Sequence, residues 1–453
     1  MRLEDVLAKI QESEALEVLR PHWEESVAAL AGGLPHFLLP SEFTANREWC
    51  GFGPEVDASL HEAARRIIAD PALTHIAWHC YRLLYEHLDY NEMKRWPTLE
   101  RALGERCGVF YMLVTMAMAP RVIEVHRKMG VAEATTRETL SQVSAIAGRY
   151  RSMTGRRLGV TLNTLYWMRH YVAGRLFRVG RMEYMIQPWG GSVVAWRRRA
   201  TNVFPPTAGA AWPALRPAVP AGLGGKNTGE VLAFAPDGTR YNGSGYVDGA
   251  NGKFDTERGW TAKLVEDAEA VTGCPISPRG MAVRQEVRLP KSDWECVLKK
   301  GDLSLQMHIP AGGGMTLERC GDSMRRAVPF FRRLFPEQPF QAITCGSWIF
   351  NTQFEEIKLS SDNLVRYQRE LYLFPTPSSG RDGLWFIFLQ DPVDPATAPR
   401  DTSLRRAVAD FLAAGNTWRG GGMFYLADDL PHFGTQHYRS HWPPKGLGKW
   451  GEM

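Results

Sequence analysis

Disulfide and zinc-ribbon patterns are missing from this chain of 453 residues. Its seven cysteines, Cys50, Cys80, Cys107, Cys274, Cys296, Cys320 and Cys345, are an odd number and form no CxxC pair. A disulfide framework and a zinc ribbon are therefore not expected, and a reducing cytoplasm is the expected compartment. Long apolar runs are scarce too. The longest nearly unbroken one, Val109 to Pro120, falls short of the ~20 residues that a membrane-spanning helix needs, so no membrane span is expected. The first residues, MRLEDVLAKIQESE, mix acids and bases and lack the apolar region of a signal peptide. Neither sign of charge dominates: 54 basic against 49 acidic residues leave a net +5, which alone does not nominate nucleic acid.

What is present is the balance of a globular protein, 44 % hydrophobic and 23 % charged, at a length that suggests two or three domains. The modest positive charge is uneven. Arg151, Arg156, Arg157, Arg169, Arg175, Arg178, Arg181, Arg197, Arg198 and Arg199 stand against one acid, Glu183, between 151 and 200. An anion near this stretch is one reading, and a solvated basic face is the other. No internal repeat is visible.

Residues 1–174 carry apolar positions at helical spacing and almost no period of two. Asp70 and Pro71 form a good N-cap pair for a helix running toward Asn91, and Thr161 to Ala173 reads as the last helix of the region. After Gly174 the texture changes to strands and turns, so the boundary is placed there: a helical domain, 1–174, and a mixed-sheet domain, 175–453. In the second, LFRVGRMEYMI reads as one strand and GEVLAFAPDGTRYNG as a strand ended by a Pro-Asp-Gly turn. The alanine-, proline- and glycine-rich segment 203–227 reads as a mobile insert. A helix is expected over Thr256 to Thr272. Within the run Cys296 to Pro310, GDLSLQMHIP reads as a strand stopping at Pro310, in which Leu303, Leu305, Met307 and Ile309 alternate with Ser304, Gln306 and His308. A glycine loop, Ala311 to Met315, and a helix capped by Thr316 and ending at Phe335 follow. FQAITCGSWIF, ELYLF and GLWFIFLQ read as further strands, Asp362 to Arg369 as a short helix, and Thr402 to Ala414 as the last helix.

A glycine loop between strand and helix suits a phosphate, because bare backbone N–H groups approach the anion while the helix end adds partial positive charge. This loop lacks the lysine of a nucleotide P-loop and the GxGxxG spacing of a dinucleotide fold. The run LPKSDWECVLKKGDLSLQMHIPAGGGMTLERCGDSMRRAVPFFRRLFPEQPFQAITCGSWIF, with SSDNLVRYQREL and the upstream GRLFRVGRMEY, resembles a bacterial family of two-domain N-acyltransferases. The resemblance covers most of 130–415. It implies an α+β architecture, with an all-helical N-terminal domain followed by a mixed-sheet, GNAT-like acyltransferase domain. It also implies acyl-CoA, acetyl or longer, as co-substrate and no metal. The acceptor would be an amine on a small molecule or peptide, with no nucleic-acid partner; the oligomeric state is left open. Carried onto this sequence, Met307, His308 and Ile309 would line the pantetheine arm by main chain. Gly312, Gly313, Gly314 and Met315 would hold the pyrophosphate. The 175–199 arginines, or Arg325 and Arg326, would add positive charge.

Acyl transfer to an amine needs a base and an acid. His308 and Glu183 are the candidate bases and Tyr367 the candidate acid. Cys345, with His308 as its base, is a candidate covalent nucleophile. Each has a plain alternative: a satisfied histidine, a structural ion pair, a core tyrosine and an inert buried thiol. His75 and His79, one helical turn apart, read as ordinary helix surface or core rather than a metal pair. The rival to an enzyme is a non-catalytic anion- or CoA-binding protein on the same scaffold, in which the arginines meet the ligand.

Overall fold

The computed structural model describes residues 1–155, 157–199, 230–310, 312–357 and 362–447. The insert predicted at 203–227, together with Arg156 and Ala311, lies outside them. The chain divides into two compact units, Met1–Met185 with His308–Gly313, and Ile186–Met307 with Gly314–Met453.

The first unit is helical up to Val172. Its central helix, Pro71–Tyr85, starts as the sequence dictates, since Asp70 accepts from the Ala72 N–H at 2.9 Å and Pro71 sits at the first helical position. It stops at Tyr85, a turn and a half before the expected end. All ten residues of the helix Cys107–Met116 are buried, and each fully buried large apolar side chain in such a core contributes ~1.5–3 kcal/mol. The surrounding stretch Glu100–Lys128 is long and apolar enough to cross a membrane by length and composition, and 72 % of its apolar window is buried inside the protein. It is made of three separate helices joined by turns. The helix α1 (Leu162–Val172) closes this series.

The main sheet has six strands, β1 (Phe177–Val179), β2 (Met182–Pro188), β3 (Leu303–His308), β4 (Ala342–Ser347), β5 (Tyr372–Pro375) and β6 (Gly421–Leu426). Their order is β1-β2-β3-β4-β6-β5. The helices α2 (Leu317–Leu334) and α3 (Asp362–Glu370) follow β3 and precede β5. A second sheet of five short strands includes Val194–Arg198, Val231–Phe234 and Trp294–Leu298.

Several expectations are corrected. The single strand over LFRVGRMEYMI is a hairpin, β1 to β2, turned at left-handed Gly180 with Val179 opposite Met182. The helix expected over Thr256 to Thr272 is replaced by Trp260–Thr261, Leu264–Glu266 and Ala270–Gly273. There Asp267 accepts from the Glu269 and Ala270 N–H groups and turns one strand onto the next. The strand expected in GDLSLQMHIP is β3, beginning two residues after left-handed Gly301, and a separate strand, Trp294–Leu298, precedes it. GLWFIFLQ is a short helix, Leu384–Phe388, between left-handed Gly383 and Leu389, and its Leu384, Ile387 and Phe388 face a core with Val408 and Trp418. The expected strand FQAITCGSWIF ends at Ser347, whose hydroxyl accepts from the Ile349 N–H. The glycine stretch before the tail is β6 itself. Its Gly421 lies so close to the Phe350 carbonyl that a Cβ there would sit 2.1 Å from the oxygen.

Candidate acyl-transfer site

The alternation read from the β3 sequence becomes two different faces. Leu305 and Met307 are fully buried, and the Tyr367 hydroxyl, on α3, lies 3.6 Å from both Met307 Sδ and Met324 Sδ. Ser304 and Gln306 point the other way, into a cleft of about 220 Å³ whose walls include Trp189, Thr344, Cys345 and Phe374. Ser304 Oγ and Thr344 Oγ1 hydrogen-bond across it at 2.9 Å.

The ladder between β3 and β4 is short. The strands run parallel and pair only at Leu305 with Ile343 and Gln306 with Thr344. On its other edge β4 pairs with β6 over its full length, from Ala342 with Leu426 to Ser347 with Gly421. Past Gln306, Met307 and His308 therefore have no ladder partner on β4, nor do Cys345, Gly346 and Ser347 on β3, so the main-chain groups facing across this gap are not held by a β3–β4 ladder. In a sheet interior such groups call for another polar chain.

His308 ends β3. Its ring meets Trp167 of α1 edge to face, with centroids 4.6 Å apart, and its buried Nε2 has no hydrogen-bond partner among the described residues. Burial, helped by neighbouring His170, pulls its pKa down to about 4. Trp167 donates from Nε1 to Glu183 Oε2 at 3.3 Å, and Tyr171 Oη donates to Glu183 Oε1. Burial raises the Glu183 pKa against these hydrogen bonds and the pull of Arg178 and Arg181. Both Glu183 oxygens thus have donors inside the helical unit. Trp167 and Tyr171 were not singled out from the sequence, although their spacing of four on α1 puts them on one face.

Gly312, Gly313 and Gly314 have φ of 78°, 77° and 66°, and a Cβ on Gly312 or Gly314 would meet open space. Thr316 caps α2 by accepting from the Arg319 N–H. Beside this helix end, Thr316, Glu318, Arg325, Asn363, Arg366 and Phe433 line a cleft of about 410 Å³. Arg326 pairs with Asp322 of the preceding turn.

Cys345 is buried, and burial pushes its thiol up to about 12; it is protonated and unreactive at neutral pH. The arginines of 151–199 are largely engaged. Arg157 pairs with Glu105, Arg197 with Asp429, Arg198 with Glu230 and Arg199 with Glu295. Buried His79 hydrogen-bonds Ser26 Oγ and the Leu19 carbonyl, and His75 the Pro71 carbonyl, so the two do not converge on an ion. Among the described residues His22, Glu25 and His87 bring three ligand atoms within 4.8 Å of one another. The two rings stack at 3.7 Å and 14°, so their in-plane lone pairs run side by side instead of meeting at one ion.

Residues 43–174 match the N-acyltransferase N-terminal domain and residues 176–424 the GNAT-like C-terminal domain. Among solved structures, an acyltransferase mutant, orf11*, in complex with octanoyl-CoA is 17 % identical, with a TM-score of 0.59 over 94 % of this chain and 99 % of its own. An acyltransferase in complex with decanoyl-CoA and teicoplanin is 18 % identical, with a TM-score of 0.58 over 94 % of this chain and 100 % of its own. No curated protein matches the sequence. At such identities the likeness establishes the fold, while the two domain matches, one of them spanning more than half of the chain, establish the family. The chain belongs to the N-acyltransferases that join a helical N-terminal domain to a GNAT-like C-terminal domain.

Proposed function

We propose that this acyltransferase moves an acyl group from a CoA thioester to an amine of a small molecule or peptide. The observation that carries the reading is the two-residue ladder between β3 and β4. It leaves main-chain groups of Met307 to Ile309 outside the β3–β4 ladder, where the amide-bearing pantetheine arm would lie, and the left-handed glycines 312–314 put no side chain between the loop and the pyrophosphate. Octanoyl- and decanoyl-CoA in the structural neighbours favour a medium-length chain, and teicoplanin in one of them favours a glycopeptide-like acceptor. Seven free cysteines favour a reducing, cytoplasmic setting.

In the reaction the amine nitrogen attacks the thioester carbonyl, a C–N bond forms and the C–S bond breaks. His308 Nε2, neutral and without a hydrogen-bond partner among the described residues, takes the amine proton. The CoA sulfur leaves as thiolate, and Tyr367, whose hydroxyl adjoins Met307 Sδ, is the group assigned to protonate it. Glu183 acts at one remove, fixing Trp167 and through it the His308 ring. Calorimetry with octanoyl-CoA and decanoyl-CoA is expected to show saturable binding, and no binding at millimolar concentration refutes the reading. CoA binding without release of free thiol from any acyl donor would instead establish a non-catalytic binding protein.

A further inference from the structure

Away from β3, a third cleft of about 530 Å³ gathers charge to which the steps of acyl transfer assign no role. Its walls include Arg279, Glu355, Arg369, Gln436 and Arg439. Among the described residues Glu355 is the only carboxylate lining it. Arg369 Nε reaches Glu355 Oε1 at 3.0 Å, and Arg439 Nη1 reaches the two oxygens at 3.2 and 3.0 Å. Burial works to raise the Glu355 pKa, and Arg439 and Arg369 overcome it, so this carboxyl stays ionised. The nearby Glu370 accepts from the Gly434 and Gln436 backbone N–H groups and serves the loop. Arg279 has no carboxylate within ion-pair distance among the described residues. Three guanidinium groups against one carboxylate leave two positive charges.

Arg439 supplies the second observation. Its side chain is nine-tenths buried, with 10 % exposed, and its Nε and Nη2 have no hydrogen-bond partner among the described residues. These two atoms form the side-on fork of the guanidinium, the edge that fits two oxygens of a phosphate or carboxylate at once. Charged donors held away from water without an acceptor are costly, and an oxyanion brings the missing acceptors.

We propose that this cleft binds a phosphate monoester, its two negative charges meeting Arg279, Arg369 and the unpartnered Nε–Nη2 edge of Arg439. A doubly charged phosphate fits two uncompensated cations better than a carboxylate does. Two sources share this chemistry, a free phosphorylated metabolite and the 3′-phosphate of CoA. The second rests on the acyl-CoA reading and has support in the chain: α3 places Asn363 and Arg366 in the cleft beside Thr316 and Arg369 in this one, and consecutive Gly434 and Thr435 line one cleft each.

The test begins with calorimetric titration of inorganic phosphate into the full-length protein at low ionic strength. Saturable binding is expected. Arg279→Gln, which removes an exposed cation with no partner to orphan, is expected to weaken it at least tenfold, whereas Glu355→Gln, which removes the competing carboxylate, is expected to tighten it. Circular dichroism verifies that each variant folds. CoA and 3′-dephospho-CoA then separate the sources. If Arg279→Gln abolishes the preference for CoA over its dephospho form, the phosphate is that of CoA; if the preference persists while inorganic phosphate binding is lost, the ligand is a separate phosphate. Failure of phosphate to bind at millimolar concentration, with CoA affinity unchanged in Arg279→Gln, overturns the proposal. Intact dephospho-CoA binding in that case keeps the acyl-CoA reading standing.

Discussion

Two arginine-rich regions behave in opposite ways. Between 151 and 199 the density along the chain is high, yet Arg157, Arg197, Arg198 and Arg199 each meet an acid of their own, one of them 232 residues away. Around Glu355 the arginines are far apart in sequence; Arg369 and Arg439 share its one carboxylate, and Arg279 lines the same cleft without an acid of its own among the described residues. A run of like charge therefore says little about free charge, because the partners that neutralise it come from elsewhere in the fold. The same contrast separates two histidines. Burial pulls His79 to about 3 and His308 to about 4; both ring nitrogens of His79 have partners, while Nε2 of His308 has none among the described residues.

The largest effect expected from this contrast is at His308. Substitution to Gln is expected to lower kcat/KM by roughly 10²–10⁴, the usual contribution of a general base. A folded-state pKa of about 4 keeps the imidazole neutral above that value, so the acid limb of the wild-type rate profile falls near pH 4 and vanishes in the variant. Stability follows the same sign. The unfolded chain takes up protons at histidine near pH 6.5 and the folded one does not, so stability is undiminished above about 6.5 and falls as the pH drops toward 4. A rate limb near 6.5 in the wild type would erase the distinction between His308 and an ordinary exposed histidine.

Next in size is Arg197→Gln. Asp429 is fully buried and receives Arg197 Nη2 at 2.6 Å and Tyr438 Oη at 2.9 Å. Removing the cation leaves a buried carboxylate underpaired, at a cost of about 3–5 kcal/mol. Urea unfolding measures this loss. Phosphate affinity in the folded variant is expected to be unchanged, because this arginine stabilises structure rather than holding a ligand; a tenfold loss of phosphate binding would dissolve the contrast between the two regions.

Much of this was legible one element at a time. The Asp70-Pro71 cap, the change of texture after Gly174 and the alternation in β3 are local signals, and the elements they announce are present. The failures are non-local. β6 is hidden because Gly421 and Gly422 are chosen by close approach to Phe350 and the Phe374 ring, not by strand propensity. Leu384–Phe388 has strand-like composition but is bent into one turn by left-handed residues at both ends. Within the proposed site, His308 and Tyr367 could be nominated from residue type and period, yet the short ladder between β3 and β4 depends on the register of two strands nearly forty residues apart. Glu183 could be named as the single acid among arginines, but not its partners, because Trp167 and Tyr171 become neighbours only after the β1–β2 hairpin forms.

The smallest expected effect lies at the exposed end of the same basic stretch. Arg199 and Glu295 pair at 3.0 Å with side chains 49 % and 46 % exposed. Water screens the attraction, and fixing two long side chains costs entropy, so Arg199→Gln is expected to change unfolding stability by less than about 1 kcal/mol. Salt is expected to remove even that difference, since exposed charges lose most of their coupling over a Debye length of ~10 Å at 0.1 M. A loss as large as that of Arg197→Gln, persisting in high salt, would mean that Arg199 stabilises the protein through more than its exposed ion pair. Local exposure would then fail as the property that sets the worth of each arginine pair.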